Sequence, residues 1–226
     1  MVFVAISKAP FNRTIEGFIL SQFFQIHPEN PQARLVKQAA DIIREGGLAV
    51  IPTDCAYALA CRLGDKAATE RVMRLRQLGS KHNFTLLCRD LSELSTFAKV
   101  DNTEYRLLKS HTPGAFTFIL PATRDVPRLL MHPKKRTIGI RVPDNAIAMA
   151  LLEEIGEPLM TSSLIMPGDE LPLSDPYDIR ATLEHQLDVV IDGGFCGFEA
   201  TTVVDMTGDV PEIARQGVGD ASAFAE

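Results

Sequence analysis

The chain of 226 residues is 46% hydrophobic and 23% charged, ordinary globular usage that excludes disorder as its main state. Its formal net charge of −6 excludes a protein that coats nucleic acid through bulk positive charge, so any RNA contact must come from a local basic patch. No apolar run approaches the ~20 residues of a membrane-crossing helix, and Cys55, Cys61, Cys88 and Cys196 form no C-x-x-C pair, which leaves four free thiols in an expected reducing, cytoplasmic setting.

Residues 1–20 are expected to stand apart from a single domain over residues 21–226. Pro10-Phe11-Asn12-Arg13 interrupts the apolar core that a secretory leader needs. An extension ahead of a start near Leu20 and a short arm packed on the domain both suit this stretch. Asn30-Pro31 reads as N-cap and first residue of a helix carrying Leu35, Ala39, Ile42 and Ile43, ended by Gly46-Gly47. Leu48 to Ile51, closed by Pro52, is expected to be a buried strand. Asp65 caps a second helix to about Leu78, with Ala68, Val72 and Leu75 on its buried stripe.

Strands are then predicted at Phe84–Cys88, Phe116–Leu120, Thr137–Val142, Pro158–Ser162, Leu187–Ile191 and Thr201–Asp205. Helices are predicted at Leu91–Phe97, at Thr103–Lys109, at Ala146–Ile155 between Asn145 and Gly156, and from Asp175-Pro176 onward. Such alternation predicts a three-layer α/β fold, and the hairpin-like late strands predict a mixed sheet.

Open α/β sheets bind ligands beyond their strand ends. Those ends carry Thr53-Asp54-Cys55-Ala56-Tyr57, Arg141, Thr161-Ser162-Ser163, Thr201-Thr202 and Arg215, a set of hydroxyls and guanidiniums suited to an anion. Any one of them, Arg141 above all, could be structural and paired with an acid; the set points to a ligand site. Walker A, G-x-G-x-x-G and H-E-x-x-H motifs are absent, and Gly193 to Gly197 reads as a turn. His82 is the histidine nearest to a plausible site. Ser162 and Ser163 lack the G-x-S-x-G elbow, and apolar neighbours and Asp54 are expected to raise the pKa of Cys55. Two basic clusters, Arg71 to Arg76 with Lys81 and His82 following, and Lys134-Lys135-Arg136, make a weak case for an RNA-facing rim.

In order, Ile51-Pro52-Thr53-Asp54-Cys55-Ala56-Tyr57-Ala58-Leu59, Thr112-Pro113-Gly114-Ala115-Phe116-Thr117-Phe118-Ile119-Leu120, Gly139-Ile140-Arg141-Val142-Pro143, Thr161-Ser162-Ser163, Thr201-Thr202-Val203-Val204-Asp205 and Arg215-Gln216-Gly217 resemble the blocks of the YrdC/YciO family of threonylcarbamoyl-adenylate synthases. Arg76-Gln77-Leu78-Gly79, His82-Asn83-Phe84 and Met166-Pro167-Gly168 are similar to its YciO branch. The resemblance implies a twisted mixed sheet flanked by helices, with a deep, positively charged concave cavity. It implies a nucleotidyltransferase-type enzyme that converts L-threonine, bicarbonate and ATP, with Mg²⁺, into threonylcarbamoyl-AMP and pyrophosphate for tRNA modification; double-stranded RNA binding is a further family association. By resemblance, Thr53, Tyr57, Thr117 and Arg141 would bind substrate. Arg76, Ser162, Thr201 and Arg215 would hold the nucleotide, and Arg76, Arg141 and Ser162 would act in catalysis.

Two departures stand out. The family's K-x-R pair falls on Arg76 and Leu78, and its S-x-N pair falls on Ser162 and Leu164. One cation and one amide are thereby lost, and Lys81 or His82 is expected to replace the charge in part. A nucleotide- or RNA-binding paralogue without efficient synthesis is the alternative these leucines motivate. A different carbamoyl or adenylyl transfer, or a hydrolysis, at the same cleft is a third.

Overall fold

The first long helix starts where a histidine ring allows it. In the computed structural model, which describes residues 14–15, 18–79, 82 and 84–224, the His27 ring nitrogen Nδ1 accepts the backbone N–H of Glu29 at 3.2 Å and of Asn30 at 3.1 Å. Those amides are therefore engaged before the helix begins, and α1 covers Ala33–Arg44 with Gln32 as N-cap, two residues later than Asn30-Pro31 predicts. The expectations for residues 1–13, 16 and 17 and for Lys81 lie outside the described residues.

Elsewhere the predicted caps hold, because an Asp or Asn side chain can take the orphan amides of a first turn: Asp65 caps α2 (Lys66–Leu75), Asn145 caps α5 (Ala146–Ile155) and Asp175 caps α6 (Pro176–Leu183). Asp90 caps α3 (Leu91–Phe97) and Asp101 caps α4 (Asn102–Ser110) in the same way, without having been singled out in the sequence. Helix α2 stops at Leu75 rather than Leu78, since Gln77 turns to a positive φ of 50°.

Twelve strands are described, β1 (Thr14–Ile15), β2 (Phe18–Ile19), β3 (Gln22–Gln25), β4 (Ala49–Ile51), β5 (Ala58–Arg62), β6 (Thr85–Leu87), β7 (Phe116–Pro121), β8 (Thr137–Arg141), β9 (Leu159–Ser163), β10 (Val189–Asp192), β11 (Thr202–Asp205) and β12 (Glu212–Arg215). Strands β1 and β2 pair with each other; the other ten form one mixed sheet in the order β12-β11-β7-β8-β6-β9-β5-β4-β10-β3. The pattern analysis gives no strand at β3, β5 or β12. The Ala-Leu-Ala-Cys-Arg of β5 has no β-branched residue and is nearly all buried, so it shows no alternation to detect. Strand β12 is exposed throughout and is held by its antiparallel pairing to β11.

Because strand side chains alternate in direction, neighbouring residues feed opposite layers. Leu48, Val50, Leu59, Leu86 and Met160 join one core with α2, α3, α4 and α6, whereas Ala49, Ile51, Ala58, Leu87 and Leu159 join the other with α1 and α5. On this second face, the strands beyond the reach of α1 and α5 present Thr85, Thr117, Gly139, Arg141, Thr161 and Val203 to a cavity instead of a helix.

The sheet curls around that cavity. Six strands separate β10 from β11, about 34 Å on a flat sheet at ~4.8 Å per strand. Residues 193–201 would have to run fully extended to cross it at ~3.4 Å each. Instead the loop folds back, with the Gly193 amide donating to the Tyr57 hydroxyl and the Cys196 thiol reaching the Thr53 carbonyl.

Both leucines at the departed family positions belong to the first core. Leu164 is fully buried, and Leu78 packs against the same cluster. Neither lines the cavity. The Leu164→Asn change, which restores the family residue, is therefore expected to lower stability by about 2–4 kcal/mol, because it exchanges apolar packing for a buried amide. Urea unfolding of the two proteins measures it.

Candidate functional site

The cavity has a volume of about 270 Å³. Thr53, Tyr57, Arg76, Thr117, Arg141, Ser162, Thr201 and Arg215, which lie up to 162 positions apart in the chain, all line it. Of the floor, made by Thr85, Gly139 and Thr161 on adjacent strands β6, β8 and β9 in register, the sequence reading missed Thr85. The signal was present as small or hydroxyl residues alternating with large apolar ones, as in Phe116-Thr117-Phe118. A Cβ on Gly139 would lie 3.1 Å from Thr85 Oγ1 and 3.3 Å from Thr117 Cγ2, so a side chain there would crowd the floor.

Each arginine is held from a different element. Arg76 is the C-cap of α2; its Nε donates to the Ile165 carbonyl at 2.9 Å and its Nη1 to Ser162 Oγ at 2.6 Å. Arg215 ends β12, and its Nε and Nη2 reach the Thr201 carbonyl at 3.2 and 2.9 Å, with Nη2 also 3.2 Å from Thr201 Oγ1. That oxygen lies 2.8 Å from Thr117 Oγ1. Arg141 ends β8, is 7% exposed, and pairs through Nη2 with Asp54 and with the Cys55 sulfur. It is thus both structural and cavity-lining.

The charges do not balance. Three guanidiniums line the cavity, no described lining residue is a carboxylate, and Asp54 is engaged by Arg141. Arg76 and Arg215 have no ion-pair partner among the described residues, and burial holds their pKa values below that of a free guanidinium. Each guanidinium also keeps a donor that no described residue takes, which for Arg141 is a buried Nε. A donor buried without a partner costs roughly 1–3 kcal/mol.

The remaining groups are neutral at ordinary pH. The Thr53 hydroxyl donates to the Ala56 carbonyl at 2.6 Å and accepts from the amides of Cys55 and Ala56, which fixes the turn that carries Asp54. The Tyr57 hydroxyl donates to the Gly194 carbonyl at 2.6 Å, and burial pushes its pKa up. Burial also raises the pKa of Cys55, against the charge of Arg141 and with that of Asp54, as the sequence reading expects. His82 lines the cavity with Nε2 3.3 Å from Ser162 Oγ, and burial together with the charge of Arg76 pushes its pKa down to about 4. Two members of the basic rim expected from the sequence are paired with acids, Arg71 with Asp188 and Lys135 with Asp205.

A model of the Sua5/YciO/YrdC domain, described as "Telomere recombination", matches residues 41–217. The chain belongs to the Sua5/YciO/YrdC family. YciO of Escherichia coli (strain K12) is 56% identical over 205 residues, 91% of this chain and 100% of that protein. Its crystal structure matches with a TM-score of 0.89, again over 91% of this chain and 100% of the other. The structure of P. abyssi Sua5 complexed with L-threonine matches with a TM-score of 0.80 at 26% identity, covering 87% of this chain and 58% of that one. The threonylcarbamoyl-AMP synthase of Bacillus subtilis (strain 168) is 26% identical over 195 residues, 85% of this chain and 55% of the synthase. The large twisted mixed sheet flanked by helices is thus the fold this family shares.

Removing the Asp54 charge would leave a buried guanidinium uncompensated. Asp54→Asn is therefore expected to lose about 3–5 kcal/mol of stability, measured by denaturant unfolding.

Proposed function

We propose that this Sua5/YciO/YrdC protein binds ATP in the arginine-lined cavity and catalyses formation of threonylcarbamoyl-AMP from L-threonine, bicarbonate and ATP, with release of pyrophosphate. The observation that carries the reading is the convergence of Arg76, Arg141 and Arg215 on one hollow that contains no described carboxylate. Such a site favours a polyanion and disfavours a cationic or neutral ligand. The family's named synthases and the threonine-bound Sua5 structure support the choice of reaction.

In this proposal the threonine amine and bicarbonate form a carbamate, with loss of water. A carbamate oxygen attacks the α-phosphorus of ATP, and the bond to the β-phosphate oxygen breaks to free pyrophosphate. No enzyme nucleophile is needed; catalysis is positioning plus stabilisation of charge on the phosphoryl oxygens. Arg76, Ser162, Thr201 and Arg215 would hold the nucleotide, while Thr53, Tyr57, Thr117 and Arg141 would face the amino acid. The three arginines cannot easily be displaced from the cavity, since each is tied to backbone or to Asp54. Among the described residues no cluster of three or more His, Cys, Asp and Glu suits a metal. Mg²⁺ would then come bound to the triphosphate, as it commonly does, and no step here is routed through it. Delivery of the product to tRNA in the cytoplasm belongs to the same proposal.

A second reading, nucleotide binding without efficient synthesis, is favoured by the placement of Leu78 and Leu164 in the core, where they offer the cavity neither charge nor amide. Double-stranded RNA binding by a basic rim is less favoured, given the net charge of −6 and the pairing of Arg71 and Lys135 with acids.

Purified protein given ATP, threonine and bicarbonate is expected to release pyrophosphate in a threonine-dependent manner. Arg76→Ala and Arg215→Ala are each expected to lower that rate about ten- to a hundredfold, the worth of one charge-assisted hydrogen bond. ATP binding with a rate equal to a protein-free blank would instead select the second reading.

A further inference from the structure

Ser162 Oγ is shared by two groups that both become donors when charged. Arg76 Nη1 donates to it at 2.6 Å, and His82 Nε2 stands 3.3 Å away on the other side. A hydroxyl has one hydrogen, and with its oxygen accepting from Arg76 that hydrogen is free to point at Nε2. That arrangement suits a neutral imidazole with its proton on Nδ1, and the charge of Arg76 beside the ring opposes protonation. A protonated ring would point a donor at an oxygen already facing a cation.

The described residues around His82 offer nothing to offset a second positive charge. Among the described residues the groups that face it are Arg76 from the end of α2, Ser162 from β9, and the edge-packed ring of Phe84, whose centroid lies 5.1 Å away. No described carboxylate lines the cavity beside it. What would change this balance is an anion seated against Arg76. Its negative charge would cancel the repulsion, and its oxygens would accept from the ring.

We propose that His82 is a conditional cation of this cavity, neutral in the ligand-free protein and protonated when a phosphate-type oxyanion binds at Arg76, to which it then donates a hydrogen bond. The proposal deepens the phosphate-binding reading above and rests on it. It gives the cavity a second charge near Arg76 that appears only with the ligand, in a protein whose Leu78 supplies none.

The sign follows from linkage. The ligand-free ring titrates at about 4, and a bound oxyanion raises that value. Between the two values binding takes up one proton, so affinity rises as pH falls, by up to roughly tenfold per pH unit. Above the bound value, and below the free one, affinity no longer depends on this ring.

Sulfate is the suitable probe, because it remains a dianion throughout the range where phosphate and ATP themselves titrate. The full chain is titrated with sulfate by calorimetry between about pH 5 and pH 8, in buffers of different ionisation enthalpy, and the His82 ring is followed by NMR. Wild-type protein is expected to bind sulfate at least several-fold more tightly at the acid end, with proton uptake and a His82 shift to the imidazolium position. His82→Gln is expected to show a flat profile. A His82 ring that stays neutral under saturating sulfate at the acid end, or a His82→Gln profile matching wild type, overturns the proposal. The ring measurement decides on the wild-type protein even if the variant folds poorly. Sulfate binding without pH dependence sinks this inference alone; no sulfate binding at any pH sinks the phosphate-binding reading and this inference together.

Discussion

Two guanidiniums with no carboxylate partner among the described residues, Arg76 part-buried at the end of α2 and Arg215 more exposed at the end of β12, set the terms for this molecule. Burying positive charge is costly, and proteins normally offset it with an acid. Here Arg76 and Arg215 are tied instead to carbonyl and hydroxyl oxygens of Ile165, Ser162 and Thr201. These dipoles orient the guanidiniums and leave their charge uncancelled. Arg141 shows the contrast: it is the most buried of the three, and it alone has an acidic partner in Asp54. Electrostatic demand inside the cavity is thereby aimed at a ligand.

The fold makes that arrangement possible by leaving part of one sheet face without a helix. Helices α1 and α5 cover the face near β4, β5 and β10. Past their reach, threonines and Gly139 replace aliphatic residues on that face, while their neighbours in sequence stay apolar and pack on the other side. The loop from β10 to β11 ties the curled sheet across the open part through Tyr57 and Thr53. Close backbone approach completes the wall: a Cβ on Gly217 would lie 2.2 Å from the Ala200 carbonyl oxygen, which brings Arg215 against Thr201. Membership of the Sua5/YciO/YrdC family is consistent with this scaffold, and its distinguishing leucines act through the core.

The eight residues picked out by the block pattern all line one cavity, because side chains at strand ends are separated by recognisable Pro, Gly and hydroxyl positions. Helix caps were equally readable, since Asp or Asn before an amphipathic run satisfies a local need. Reasoning from the pattern failed where a distant partner decides. Strand β5 carries no periodic signal because both its faces are buried, and β12 is a strand only because β11 pairs with it. Leu78 and Leu164 were read as gaps in the site, whereas packing had already turned them into core.

Sequence by itself determined the residue chemistry of this protein: alternation for a layered α/β fold, caps for its helices, and arginines and hydroxyls in the order its family uses. Those are local properties, written at spacings of two to four residues. Tertiary structure decided which charges go unpaired and which hydroxyl stands between Arg76 and His82. Electrostatic energy depends on distance and burial, and for residues as far apart in the chain as 76, 141 and 215 only the curled sheet sets either one.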